Sequence, residues 1–109
     1  MKDKFCFVYV TVENFEQAEL IAELAIKDKL VACANIFPES HSMFEWKGEV
    51  KLEKETVLLL KTLVNKYDLL EKLIITNHVD ETPCILKIDV SKGHKDFLKW
   101  VETSVSLSD

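Results

Sequence analysis

The spacing of hydrophobic positions changes several times along the chain, and each change predicts a new element of secondary structure. Residues 5–12 are apolar almost throughout and rich in aromatic and β-branched side chains, which predicts a central strand covered on both faces. From Asn14 onward the apolar residues recur on one helical face, and Asn14 can cap the first turn with Gln17 three residues later. We therefore expect a helix directly after the first strand. Its inward positions are Ala18, Ile21, Ala22 and Ala25.

The middle of the chain has the pattern of a long β-hairpin. Residues 31–37 predict the next strand, and an alternating stretch, residues 42–46, continues it past a bend at Pro38. Lys47-Gly48 is the expected turn. The return segment, residues 49–63, is ambiguous, because its charged first half also fits a helix. We favour one strand with a bulge near Lys54.

The last third of the chain predicts a helix, a strand and a second helix. Asn65 is the expected cap of the first of these helices, which ends around Asn77. Residues 84–90 alternate cleanly, which predicts a strand with one wet face, and helical spacing resumes after Gly93. The order β-α-β-β-α-β plus a terminal helix predicts an α+β, ferredoxin-like split βαβ fold as a single domain over residues 1–109.

The hairpin is too long for the domain that carries it. Fifteen residues at ~3.3 Å each reach ~50 Å, whereas a compact chain of this size has a radius of gyration of ~13 Å. The far half must protrude, and it carries Phe44, Trp46, Val50 and Leu52, which a two-stranded ribbon cannot bury by itself. We therefore expect an obligate homo-oligomer in which sister subunits cover the hairpin and the ring closes.

Composition and charge narrow the possible partners. The chain has 109 residues, 48% hydrophobic and 30% charged, and its 19 acidic against 14 basic residues give a net charge of −5. This charge disfavours nucleic acids and anionic membranes as partners. All 14 bases are lysines, which argues against phosphoryl or acyl-phosphate chemistry that depends on arginine. Three widely spaced cysteines and no bilayer-length apolar run predict a reduced, cytoplasmic, soluble protein.

The segment from residue 78 to residue 84 contains several donor types that transition metals accept. It offers the His78 imidazole, the Asp80 and Glu81 carboxylates and the Cys84 thiol. The spacing matches no closed zinc motif, and a plain polar loop ahead of a strand is the alternative interpretation. No nucleophile, phosphate-binding or dinucleotide-binding motif is present, so we expect a protein that is not an enzyme.

A further donor, Cys33, follows the first helix as Cys84 follows the second, which predicts both thiols at the same rim of the sheet. Their strands are three spacings apart, or ~14 Å, too far for one ion within one subunit. We therefore expect the metal site in a cleft between subunits. Lys61 interrupts an apolar strand block; it either extends its ammonium to solvent or binds an anion.

Five short motifs, in order, resemble the CutA divalent-cation tolerance family over roughly residues 9–101. They are Ala32-Cys33-Ala34-Asn35-Ile36, Ser42-x-Phe44-x-Trp46-x-Gly48, Glu55-x-x-Leu58-Leu59-x-Lys61-Thr62, His78-x-x-Glu81-x-Pro83 and Gly93-x-x-x-Phe97-Leu98-x-Trp100-Val101. The resemblance implies the ferredoxin-like fold, a trimer assembled through long hairpins, and association with copper and other divalent metals. Phe44, Asp80 and Phe97 stand where the family usually has tyrosine, and Val79 stands where it has proline.

Two functions follow as hypotheses. The first is a homotrimeric, non-enzymatic protein that binds copper or another divalent ion between subunits through His78, Glu81, Cys33 and the additional carboxylate of Asp80. The second is a trimeric signalling or interaction scaffold whose clefts accept a small metabolite or a protein partner, with metal binding incidental. RNA binding is a weaker hypothesis, because the chain has neither an RNP1-type aromatic run nor a basic field.

Overall fold

The computed structural model describes residues 3–106 as four strands and three α-helices. The first two residues and the last three of the predicted domain lie outside that part. In chain order the elements are β1 (Phe5–Val12), α1 (Phe15–Lys27), β2 (Cys33–Trp46), β3 (Glu49–Leu63), a 3-10 turn (Val64–Lys66), α2 (Tyr67–Asn77), β4 (Ile85–Val90) and α3 (Lys95–Val105). The strands form one sheet in the order β2-β3-β1-β4 with every neighbouring pair antiparallel. This order confirms the α+β split βαβ prediction.

One face of the sheet packs against α1 and α2 and holds the core. Alternate residues of β1 point to this face and pair with β3, as Val8 does with Leu60 and Val10 with Leu58, and all four are fully buried. Asn14 caps α1 as predicted, because its Oδ1 accepts a hydrogen bond of 2.8 Å from the Gln17 backbone N–H. The four inward residues predicted for α1 are all buried. The periodicity therefore identified the face that drives folding.

The other face of the sheet, called here the open face, is largely uncovered. It carries the odd-numbered residues of β1 and β3 and the even-numbered residues of β4, in the register that pairs Phe7 with Lys61 and Ile88, and Tyr9 with Leu59 and Leu86. Leu86 and Ile88 remain exposed. Among the described elements, only α3 lies against this face, at the end where β1 begins. The side chains of β4 alternate as predicted, with Lys87 and Asp89 on the opposite side, but both faces of the strand are exposed in one subunit rather than a single wet face.

The hairpin is the most extended part of the molecule. β1 ends at Val12, opposite Thr56, so no third strand from residues 3–106 lies beside residues 40–55 of the hairpin. We call this segment the arm. Because the arm protrudes, the described part of the chain measures 47 × 28 × 22 Å along its principal axes. Its radius of gyration is 14.7 Å, compared with ~13 Å for a compact domain of this length.

Two local predictions about the hairpin are settled by the structure. Residues 49–63 form one strand rather than a helix, as we favoured. The bulge was placed wrongly, because the register shifts between Phe37 and Ser40 in β2 and not near Lys54 in β3. Pro38 explains the position: it lacks an N–H to donate to the ladder, so pairing is interrupted there, while its carbonyl accepts a 3.0 Å hydrogen bond from the Thr56 hydroxyl.

The predicted cap of α2 was also wrong. The chain makes a 3-10 turn over Val64–Lys66, and α2 starts after Lys66 without a side-chain cap. The Val64 N–H bonds to the Lys4 carbonyl at 2.8 Å, which holds the turn against the start of β1. A contact with a distant strand thus replaced the local cap that Asn65 could have supplied. No helix within residues 3–106 is long and apolar enough to cross a bilayer.

Candidate functional site

The loop between α2 and β4 is held to the sheet by His78. The side chain of His78 is fully buried, and its Nε2 lies 2.8 Å from the Thr11 carbonyl oxygen at the end of β1. A carbonyl can only accept, so Nε2 carries the proton and donates it. Nδ1 is then the acceptor, and it receives the Asp80 backbone N–H at 3.0 Å. The imidazole therefore ties the loop to β1 through Thr11 and closes the turn that leads to Asp80.

These two hydrogen bonds occupy both nitrogens of His78 within the subunit. A metal ligand needs a free ring nitrogen, so in this conformation the imidazole is a support for the loop. Binding an ion through His78 requires that either the Thr11 or the Asp80 hydrogen bond be given up. The Asp80 carboxylate lies 4.0 Å from Nδ1 and is half exposed, so it remains available at the surface.

The loop forms one wall of an open cleft of about 560 Å³, and the arm forms the other. On the arm, Glu53 and Glu55 continue the odd-numbered, open-face side of β3. Phe44 and Trp46 lie on the same side, because they pair with the odd-numbered Lys51 and Glu49. The Glu55 Oε1 accepts a 2.6 Å hydrogen bond from the Ser42 hydroxyl, which orients that carboxylate. The remaining lining comprises Thr11, Lys51, Asp80, Glu81, Thr82 and Cys84.

The cleft has a marked negative charge. Four carboxylates line it against a single ammonium, that of Lys51. Three of those carboxylates also border an adjoining cavity of about 380 Å³, where Glu13 adds a fourth carboxylate and Lys54 adds one ammonium. Opposed carboxylates at a half-enclosed surface favour a cation by Coulomb attraction. The arrangement can therefore concentrate positive charge between the arm and the loop.

Cys33 does not join this cleft, and its predicted rim was wrong. Cys33 pairs with Lys61, which pairs with Phe7, whereas Cys84 lies beside the cleft with Thr11 at the other end of β1. The reason is topological: β4 runs antiparallel to β2, so the two helix-to-strand connections emerge at opposite rims. Four residue steps of ~3.3 Å add ~13 Å along the strands to the ~14 Å across them.

Within residues 3–106 no three His, Cys, Asp or Glu side chains approach closely enough to hold one ion. A subunit by itself thus presents scattered donors, and the predicted ligands His78, Glu81, Asp80 and Cys33 require a neighbouring subunit or a rearranged loop to act together. The assignment of these four residues stays a prediction.

Two acidic residues of the cleft did not stand out in the sequence. Glu53 and Glu55 have the pattern of a solvated strand edge, and only the register beside the loop gives them a second role. Cys84, whose thiol the sequence offered as a donor, is half-buried and lines the cleft. The signal for Glu53 and Glu55 was present in the sequence, since every second residue of the arm shares one face. The position of the loop against that face was not predictable from spacing.

The third thiol, that of Cys6, is unreactive. Cys6 lies in the core, and burial raises its pKa from 9.0 to about 11, with smaller opposing effects of the charges on Lys87 and Asp89. The neutral thiol neither binds metals nor attacks electrophiles readily. Cys6 is therefore a packing residue.

Comparison with known proteins identifies close relatives. The model of the family described as CutA1 divalent ion tolerance protein matches residues 6–104. The Divalent-cation tolerance protein CutA of Archaeoglobus fulgidus is 36% identical over 91% of this chain and 96% of its own. The chloroplastic Protein CutA of Arabidopsis thaliana is 33% identical over 89% of this chain, which spans only 53% of that longer protein.

A solved structure agrees with these matches. The crystal structure of the divalent ion tolerance protein CutA1 from Ehrlichia chaffeensis superposes with a TM-score of 0.91. The two chains are 29% identical, and the alignment covers 98% of this chain and all of the other. The long hairpin is thus part of a fold that the relative shares.

Proposed function

Because the chain belongs to the CutA1 divalent ion tolerance family, we propose that it is a cytoplasmic, homotrimeric protein that binds copper or another divalent ion in a cleft between subunits. It acts by binding rather than by catalysis. The observation that carries the proposal is the cleft between arm and loop, which four carboxylates line and which is open on the side where a neighbouring subunit would pack.

The arm supports the oligomer. Its two faces both expose large apolar side chains: Trp46 is 53% exposed on one face, and Met43, Val50 and Leu52 are 61–74% exposed on the other. A monomer would present this two-sided apolar ribbon to water over its whole length. Sister subunits that lie against both faces remove it, and a closed ring leaves no edge strand free to add further chains.

The donor set of the cleft supports a divalent cation. Asp80, Glu81, Glu53 and Glu55 supply oxygen ligands, and Cys84 supplies a soft thiol. Among divalent first-row metals, sites of mixed donors bind copper most strongly. A neighbouring subunit packed on the arm would close the cleft and bring its own donors, including Cys33, to the third wall. Affinity then falls at acidic pH, because the ligands must lose protons to bind.

Calorimetric titration of the assembled protein with Cu²⁺ tests the site. The double variant Asp80→Asn/Glu81→Gln removes two carboxylates of the loop and is expected to weaken binding at least tenfold. The double variant Glu19→Gln/Glu23→Gln is the matched control, since it removes the same charge from the exposed side of α1. Equal affinity of the two double variants would remove the cleft from the proposal.

Electron paramagnetic resonance of the Cu²⁺-loaded protein separates the two roles of His78. If the loop rearranges and the imidazole binds the ion, the spectrum shows nitrogen hyperfine splitting that disappears in His78→Ala. If His78 only supports the loop, the spectrum of the wild type lacks an imidazole contribution from this residue and the variant leaves the coordination pattern unchanged.

The shape of the cleft favours a second candidate, a trimeric scaffold that binds a small metabolite. A volume of about 560 Å³ lies within the ~300–1,000 Å³ typical of small-molecule sites, and Phe44 and Trp46 provide an aromatic wall. A thermal-shift screen of metals against nucleotides and organic ions distinguishes the candidates, because a ligand of the folded state raises the melting temperature. Stabilisation by an organic compound and not by any metal favours the scaffold.

A further inference from the structure

One basic side chain, that of Lys51, lines the acidic cleft between the arm and the loop. Lys51 lies on the open-face side of β3, two residues before Glu53 and four before Glu55, so these three side chains leave the strand on the same side. Phe44 lies directly opposite Lys51 on β2 and also lines the cleft. The cleft therefore contains a positive charge of its own beside its carboxylates.

The ammonium of Lys51 is not held by one partner within the subunit. The ion pairs found within residues 3–106 do not include Lys51. Lys54, which leaves the same strand on the other side, is by contrast paired with Glu39 at 3.9 Å. Because no single carboxylate neutralises the Lys51 ammonium, its charge acts on whatever else enters the cleft.

The spacing along β3 suits a counter-ion for the cleft. Successive residues on one side of a strand lie ~7 Å apart, and one such step separates Lys51 from Glu53. Lysine carries its charge on a flexible four-carbon stem, so the ammonium can approach the Glu53 carboxylate or turn away from it. A metal ion at that carboxylate occupies the same range. Metal and ammonium therefore compete for the same negative charge.

We propose that Lys51 sets the affinity of the cleft for divalent cations, because its ammonium is a tethered counter-ion that an incoming ion has to displace. The inference rests on the proposed function, since it concerns the same cleft. Without a metal, the ammonium offsets one of the four carboxylate charges. A divalent ion brings twice that charge and repels the ammonium towards the mouth of the cleft. The cleft then fills only when the free ion is abundant enough to overcome this repulsion.

Calorimetric titration of the assembled protein with Cu²⁺ tests the role of Lys51. At an ionic strength of ~0.01 M the Debye length is ~30 Å, so the charges are little screened. Lys51→Gln should bind Cu²⁺ about tenfold more tightly than the wild type, because Coulomb repulsion between charges of +2 and +1 at ~7 Å in water has that effect. Lys51→Glu changes the charge twice as far and should bind roughly fiftyfold more tightly. Lys51→Arg keeps the charge and should bind as the wild type does.

A control variant and added salt separate charge from packing. Lys72→Gln removes one lysine charge from the exposed side of α2 and should leave the affinity for Cu²⁺ within about twofold of the wild type, because α2 lies far from the arm. An ionic strength of ~1 M shortens the Debye length to ~3 Å, less than the separation of the charges. The differences within the Lys51 series should then fall below about twofold. An effect of Lys51 on packing alone would persist in salt.

The titrations give different results for failure of this inference and failure of the proposed function. If the wild type binds no Cu²⁺, or if Asp80→Asn/Glu81→Gln leaves the affinity unchanged, the cleft is not the metal site and both proposals are refuted. If that double variant weakens binding, the cleft is retained. The role of Lys51 is then overturned by equal affinities across its series, by Lys51→Arg binding as tightly as Lys51→Gln, or by differences that salt does not reduce.

Discussion

Trp46→Ala is the substitution that most directly tests the role of the arm. A tryptophan side chain presents up to ~250 Å², and 53% of Trp46 is exposed in the single subunit. Covering that remainder, ~130 Å² at ~25 cal/mol per Å², stabilises assembly by ~3 kcal/mol per subunit. Losing this contribution in all three subunits costs ~10 kcal/mol, which raises the overall dissociation constant of a trimer ~10⁷-fold. The protein concentration at which half of the trimer dissociates varies as the square root of that constant, so it rises ~3,000-fold.

Sedimentation velocity over a dilution series measures this midpoint. Trp46→Phe keeps an aromatic ring and should stay close to the wild type, and Glu45→Ala controls for a polar change at the adjacent position of the arm. Circular dichroism of the dissociated Trp46→Ala chain should retain the native signal, because residues 40–55 lie outside the helix-covered core. Folded wild-type monomers at micromolar concentration, or an unchanged midpoint for Trp46→Ala, would refute the reasoning.

Three further outcomes are expected. Leu58→Ala opens a cavity at a fully buried position and should lower the free energy of unfolding by about 2–5 kcal/mol in urea titrations; a loss below 1 kcal/mol would contradict the core described here. His78→Ala leaves the Thr11 carbonyl and Asp80 N–H without partners and should cost about 2–4 kcal/mol, with faster hydrogen exchange confined to the loop; unchanged exchange there would contradict the supporting role. At pH 8 the buried thiol of Cys6, with its pKa raised to about 11, should resist iodoacetamide while half-buried Cys33 and Cys84 react. Peptide mapping that finds Cys6 modified first would disprove that protection.

Several element boundaries could be predicted because their causes are local. The run of apolar residues in β1, the cap at Asn14 and the turn at Lys47-Gly48 each depend on side chains a few residues apart. At this turn Gly48 adopts a φ of 82°, a left-handed backbone conformation that glycine accepts at no steric cost. The protruding arm followed from arithmetic, because strand length and domain size obey general relations.

Failures of prediction share a different cause. Asn65 does not cap α2, because the Val64 N–H bonds instead to the carbonyl of Lys4, some sixty residues away. The bulge lies at Pro38 rather than at Lys54, because proline has no N–H to donate to the opposite strand. Each feature depends on which partner a segment meets, and spacing along one strand carries no information about the partner.

The sequence by itself determined the elements, the two faces of each strand, the excess length of the hairpin and, through its motifs, the family. Only the tertiary structure decided that Cys33 and the loop lie at opposite rims, that both nitrogens of His78 are occupied, and that Glu53 and Glu55 face Asp80 and Glu81. The physical reason is that periodicity records how a side chain points from its own backbone. Strand direction, register and the seating of a loop are set by contacts between distant segments, and the chemistry of the cleft comes from those contacts.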